Sequence, residues 1–176
     1  MPPAGKRDRS GRTRPRSAAD DYRAKTEHEI SVLSRRITNS GLPSPTGDPS
    51  SGIVIVIEQP VGPRVLQALE RSLDAVRLAG AYVTCASTST LAEEIFATEP
   101  HALVAVGPAA AREIDALDHP LAQNSFSEAE TGVWFTWTKG TAGLALPPLA
   151  SALDDDAAKR RFWRAFLTLR DLAPTT

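Results

Sequence analysis

The sequence predicts an α/β protein, a three-layer α/β/α sandwich around a mostly parallel sheet of about four strands. Two runs, IVIVI at residues 53–57 and HALVAVG at residues 101–107, are almost continuously apolar, as strands buried on both faces are. The stretches that follow them place apolar residues three and four apart, the helical period. Strand–helix alternation of this kind calls for parallel strands joined by right-handed crossovers. With 176 residues, 41% hydrophobic and 23% charged, the chain has the size and composition of one soluble domain with a real core.

Residues 1–16 form a basic arm, with Lys6, Arg7, Arg9, Arg12, Arg14 and Arg16 against Asp8. It is poor in apolar side chains and is expected to be disordered. Taking these residues from the chain totals of 20 basic and 21 acidic leaves 14 and 20, so the arm is joined to a body of net charge −6. Such an arm can touch nucleic-acid phosphates, or it can be a solvated tail. A helix is expected over residues 17–40. Ser17, Asp20 and Asp21 supply the cap and the acidic first turn, and Tyr22, Thr26, Ile30, Leu33 and Ile37 form one stripe. Gly41 supplies the stop. Residues 41–52, rich in Pro, Gly and Ser, read as a linker and domain boundary.

The core domain is expected over residues 53–172. After the first strand, Pro63 suits the first turn of a helix that carries Val65, Leu66, Leu69, Leu73, Val76 and Leu78. AYVTCAS, residues 81–87, reads as the second strand. A short helix over residues 88–97 follows, with Thr90 as N-cap and Glu93 in the capping-box position. The third strand ends at Gly107, and Pro108 opens a helix over residues 109–117. GVWFTWT, residues 132–138, alternates and reads as an exposed or edge strand whose Trp134, Phe135 and Trp137 could offer a partner an apolar patch. Neighbouring positions on a strand point to opposite faces, so Trp134 and Phe135 cannot both face outward. GLALP, residues 143–147, is a last short strand. Asp154–Asp156 lead into a helix with Phe162, Phe166 and Leu169 on one face.

Several function classes are excluded at this level. No apolar run approaches the ~20 residues of a membrane helix. The basic start lacks the apolar segment of a secretory signal. Cys85 is the only cysteine, which rules out an internal disulfide and any multi-cysteine zinc or iron–sulfur site. A cytoplasmic location is the default expectation. His28, His101 and His119 are scattered without metal-ligand spacing, so no metal and no cofactor is expected. No GxxxxGK[ST], GxGxxG or GxSxG motif is present.

What chemistry the chain carries should sit where strands end, because open α/β sheets build their sites at the carboxyl ends of strands. Glu58 directly follows the first strand and is the candidate catalytic base; a solvated strand-end charge is the competing reading. Gly107, between a strand and a helix, could present backbone N–H groups to an anion or merely permit a tight turn. Lys159, Arg160, Arg161 and Arg164, in KRRFWR, could contact phosphates or form a solvated helix face.

Five segments in order resemble the uracil-DNA glycosylase superfamily, above all the bacterial type with an iron–sulfur cluster. IEQP resembles the end of that family's first strand, G-E-x-P-G. VGPRVLQAL resembles the V-G-P-A-G-x-L-L helix start, and AYVTCAST the second strand. TSTLAEEIFATEPHALVAVGPAAA resembles the approach to the third strand and the turn beyond it. LALPPLASAL stands where the family has its last strand and H-P-[SA] motif. The resemblance spans residues 53–172. It implies a pocket at the strand ends, with Glu58, Gln59, Pro60, Thr84, Cys85, Gly107 and Pro147 as the matching positions, and DNA or a partner protein as what the domain meets.

The departures from the family pattern fall on its chemistry. The loop between G-E-x-P and V-G-P, which in the family positions the attacking water and stacks on the base, is missing: Pro60 runs straight into Val61-Gly62-Pro63. Cys85 stands at the position of the asparagine that reads uracil, and a thiol cannot make an amide's paired donor–acceptor contact. Pro147–Ser151 contain no histidine to stabilise charge on a leaving base. The cluster cysteines are absent. The expectation is a degenerate member that has lost base excision and serves as a binding or regulatory module. The alternatives are a divergent nucleobase- or nucleotide-processing enzyme using Glu58, and a DNA-binding protein without chemistry.

Overall fold

The computed structural model describes residues 15–174. The expected arm falls almost wholly outside this range. The chain runs α1 (Ala18–Asn39), β1 (Ile53–Ile57), α2 (Pro63–Ala75), β2 (Tyr82–Cys85), α3 (Leu91–Thr98), β3 (Ala102–Val106), α4 (Pro108–Ala116), β4 (Phe135–Thr138), β5 (Thr141–Leu146), α5 (Leu149–Ala152) and α6 (Asp156–Phe166). It closes on a 3₁₀ turn, Leu167–Leu172. No helix among the described residues is long and apolar enough to cross a membrane.

The sheet has five strands in the order β2-β1-β3-β5-β4. The first three pairings are parallel and β4 is antiparallel to β5. The sheet has one strand more than the expected four, and its antiparallel edge, β4, falls within the run read as an exposed or edge strand over residues 132–138. β1 and β3 lie inside the sheet and every one of their residues is buried. Side chains alternate across the sheet, so Ile53, Ile55 and Ile57 enter one core with Leu69, Leu73, Leu149, Phe162 and Phe166. Val54 and Val56 enter the other, with Ile30, Leu33, Leu91, Ile95 and Ile114. α2, α5 and α6 therefore cover one face, and α1, α3 and α4 the other.

α1 begins at the expected cap. Ser17 accepts from the Asp20 amide at 3.2 Å while its own amide donates to the Asp20 carboxylate at 3.0 Å. Thr26, Ile30, Leu33 and Ile37 are buried, and Tyr22 stays exposed. Residues 41–52 run beside the β2 edge: Thr46 and Val83 form an antiparallel bridge, and the Asp48 amide donates to the Gly80 carbonyl.

Two local expectations are corrected. Thr90 makes no side-chain cap bond, and Glu93 pairs outward with Arg36 at 2.9 Å. The Thr90 hydroxyl turns inward to Glu94 instead. The aromatic residues of GVWFTWT form no exposed patch. Trp134 packs against the α2–α6 core and Phe135 against the opposite one, while Trp137 is fully covered. Phe126 meets Phe135 and Trp137 edge-on, at ring distances of 4.9 and 5.9 Å. Gly143 lets the Phe135 ring lie flat on β5, because a Cβ there would strike it.

Candidate functional site

The carboxyl ends of β1, β2, β3 and β5 lie along one edge of the sheet, so Glu58, Cys85, Gly107 and Pro147 share that edge. The chain leaves β1 toward β2 on one side and later returns to β3 on the other. The strand order therefore reverses between β1 and β3, where doubly wound folds open a ligand crevice.

In this chain Glu58 fills that point. Its amide continues the ladder to the Val106 carbonyl at 3.1 Å, and its carboxylate accepts from the Ala109 amide at 2.8 Å. Ala109 is the second residue of α4. The helix N-terminus, a ready anion site, is thus occupied by the protein's own carboxylate. Gly107 makes this closeness possible. It adopts φ +96°, and a Cβ would collide with the Glu58 carboxyl group. Gly107 is both a turn glycine and the floor of a carboxylate seat, a pairing that neither residue's sequence context announces.

The neighbouring candidates do not converge on one pocket. The chain crosses from β1 to α2 in residues 58–62, with a cis Gln59–Pro60 bond and Pro60 exposed. Gln59 Oε1 accepts from the Val61 amide at 3.1 Å. Its Nε2 is buried without a hydrogen-bond partner among the described residues. Thr84 and Cys85 are adjacent on β2 and so face opposite sides of the sheet. Cys85 belongs to the α2–α6 core; burial pushes its thiol up to about 11, and the Glu94 charge adds to this. A thiol so placed is a poor nucleophile at neutral pH.

Thr84 turns to the other face, where the sequence reading missed the most enclosed polar group of the domain. Glu94 on α3 has no solvent exposure. Its Oε1 accepts from Tyr82 and Thr84, both at 2.7 Å, and its Oε2 from Thr88 at 2.9 Å and Thr90 at 3.2 Å. A carboxylate has about four acceptor sites, and four hydroxyls fill them. Burial and the adjacent carboxylate together raise the Tyr82 phenol far above its ordinary pKa. The signal was present. Leu91, Ile95 and Thr98 mark the inward face of α3, Glu94 lies on it, and hydroxyl residues crowd positions 82, 84, 88 and 90.

Beside the Glu58 seat, past the ends of β3 and β5, an open cleft of about 840 Å³ lies between α4 and α6. Gly107 and Pro147 line it, together with Arg112, Arg161 and Arg164. None of these arginines has a carboxylate partner among the described residues. The basic run on α6 is divided between two clefts. Arg161 and Arg164 face this cleft, whereas Lys159 and Arg160 border a separate groove with Phe162 and Trp163. Arg112, one turn into α4, was not anticipated. One wall of the cleft, Phe126–Ser127, is tied down by Asp115, which accepts from the Phe126 amide at 2.7 Å, the Ser127 amide at 2.9 Å and the Ser125 hydroxyl at 2.7 Å. Burial raises the Asp115 pKa, but these hydrogen bonds outweigh it and hold the carboxyl below its ordinary value.

No histidine reaches the cleft. His28 is on the surface of α1, His101 precedes β3 at the opposite end of the sheet, and His119 packs on the Trp137 ring at 4.8 Å. Among the described residues no three His, Cys, Asp or Glu side chains converge as metal ligands. Fold and edge together define an α/β protein with a five-stranded, mostly parallel sheet flanked by helices. No protein-family model and no curated protein matches the chain. The glycosylase resemblance accordingly rests on its motifs alone.

Proposed function

We propose that the chain is a uracil-DNA-glycosylase-like domain without base-excision activity, a binding module that holds nucleic-acid phosphates in the cleft between α4 and α6. The observation that carries this reading is the seat of Glu58: the one motif-matched acid accepts from the Ala109 amide at 2.8 Å and packs over Gly107. A general base must reach a substrate proton within hydrogen-bonding distance. Glu58 is turned instead onto the N-terminus of α4. The three arginines beside it suit phosphates, which guanidinium groups engage bidentately, and they stand on a body otherwise rich in acids.

Two assays test the reading. Single- and double-stranded DNA containing uracil, hypoxanthine or xanthine should remain intact with the protein; excision that Glu58→Gln abolishes would overturn the proposal. Binding of a labelled single strand, followed by anisotropy across a salt series, should weaken steeply with salt. Alanine at Arg112, Arg161 or Arg164 should each reduce the log–log slope by about 1 if that residue contacts a phosphate. Binding that survives all three substitutions would remove the cleft from the account. Repeating the series without residues 1–16 separates the arm from the body.

A further inference from the structure

Three rings stack along α6. Phe166 lies 5.3 Å from Phe162 with their planes 25° apart, and 5.8 Å from Trp163 with theirs 15° apart. Phe162 and Phe166 are buried, whereas Trp163 is 36% exposed, so the stack ends on an indole that water reaches. This indole borders a groove of about 500 Å³, walled by apolar side chains of α2 and α5 and charged by Arg71, Lys159 and Arg160. The α4–α6 cleft, on the other flank of α6, carries Arg112, Arg161 and Arg164. Of the 14 basic residues left when the arm is set aside, six thus line the two hollows beside one helix. No acid lines either hollow, and none of the six has an ion-pair partner among the described residues. On a body of net charge −6 this segregation selects an anion.

We propose, resting on the phosphate reading of the α4–α6 cleft, that the anion is a single nucleic-acid strand that crosses α6 and stacks one base on Trp163. The crossing has its own cations. Arg160 and Arg164 are four residues apart, hence neighbours on the helix, and both are exposed. Arg160 borders the groove and Arg164 the cleft, so a backbone passing over α6 meets positive charge on both flanks and between them. Such a path joins a cationic track to an aromatic platform, the pairing that holds single strands without regard to sequence. The near-parallel Phe166 ring restrains the plane of Trp163, and a base laid on the indole extends the stack. A duplex keeps its bases stacked on one another and has none to give. A purely apolar partner would leave three cations unmatched, and a polyanion without bases would leave the indole bare.

Titration of the full chain with an oligothymidylate of about 12 nucleotides, read by tryptophan fluorescence and by anisotropy, tests the proposal. Trp137 is buried and Trp134 half-buried, so quenching on binding reports chiefly on Trp163. The strand should quench, and Trp163→Phe should abolish the quenching while keeping most of the affinity. Trp163→Ala should weaken binding about fivefold or more and leave the slope against salt unchanged. A duplex of the same length should bind both variants as it binds the wild type; duplex binding lost in step with single-strand binding would overturn the proposal. Single-strand binding that Arg161→Ala weakens, with no quenching and no loss in Trp163→Ala, would overturn it and leave the phosphate reading of the cleft standing. No binding of either form of DNA would overturn both. Quenching by phosphatidylglycerol vesicles but not by the strand would assign the groove to a lipid surface and overturn the proposal as well.

Discussion

Glu58 and Glu94 both lie on the α1–α3–α4 side of the sheet, one reaching the start of α4 and the other reaching β2 from α3, and each carboxylate is held by a different solution to one problem. Glu58 is half-buried at the end of β1, and a backbone amide at the start of α4 satisfies it, with the helix dipole in support. Glu94 is wholly enclosed and is held by four side-chain hydroxyls from β2 and the turn after it. The first arrangement is cheap to alter, because water can replace the carboxylate at an exposed helix end. The second is cooperative, because removing Glu94 strands four donors at once. A strand-end acid that looks catalytic in sequence and an acid hidden in a helix thus exchange importance for the fold.

The sharpest way to break this comparison is at Glu94. Glu94→Leu should lower stability by about 3–5 kcal/mol, since buried donors left unpaired cost their full desolvation. The midpoint of urea unfolding reads this directly. Glu94→Gln keeps one acceptor oxygen and should cost less, about 1–3 kcal/mol, as two hydroxyls turn to accept from the new amide. If Glu94→Leu unfolded at the wild-type urea concentration, the hydroxyl cage would have no structural weight.

The Glu58 side is probed through Gly107. Gly107→Ala forces a φ that non-glycine residues rarely adopt and drives a methyl group into the Glu58 carboxyl. The backbone conformation alone is expected to cost about 1–3 kcal/mol. Glu58→Gln, which keeps an acceptor for the Ala109 amide but loses the charge–dipole attraction, should cost only about 0.3–1 kcal/mol. In the double variant Glu58→Ala/Gly107→Ala the collision is gone, so the combined loss should be smaller than the sum of the two single losses. Additive losses would show that the carboxylate does not rest on Gly107.

The layers of the fold were legible in the sequence because burial leaves a direct record there. IVIVI and ALVAV are apolar throughout because both faces of β1 and β3 are covered, and Thr26, Ile30, Leu33 and Ile37 keep the helical period because one side of α1 is. The site was legible only as positions. Helical periodicity does not separate Arg164 from Arg160, four residues before it, and the wall that Arg161 and Arg164 face, Arg112 and the Phe126–Ser127 segment, comes from sequence tens of residues away. The direction of the Glu58 side chain depends on a glycine 49 positions later, and no local pattern encodes that contact. Glu94 was hidden for a different reason. The capping-box spacing favoured Glu93, and only the inward face of α3 distinguishes the two acids.

The smallest expected effect vanishes at neutral pH. The Cys85 thiol is raised from 9.0 to about 11 by burial and by Glu94. A folded-state pKa above the unfolded value means that the native state holds its proton more tightly. The associated stability is fully present below pH 9 and is lost as pH rises through 11. Tyr82, raised by the same two causes, extends the loss further into the alkaline range. Urea midpoints followed from pH 7 to pH 11 should therefore be flat up to pH 9 and then fall. Cys85→Ser should remove the earlier part of the fall and Tyr82→Phe the later part. Glu94→Gln should weaken both, since its charge acts on both groups. A Cys85→Ser variant with the wild-type alkaline limb would show that the thiol titrates no differently in the folded and unfolded chain, and the reach of Glu94 would then end at its own four hydroxyls.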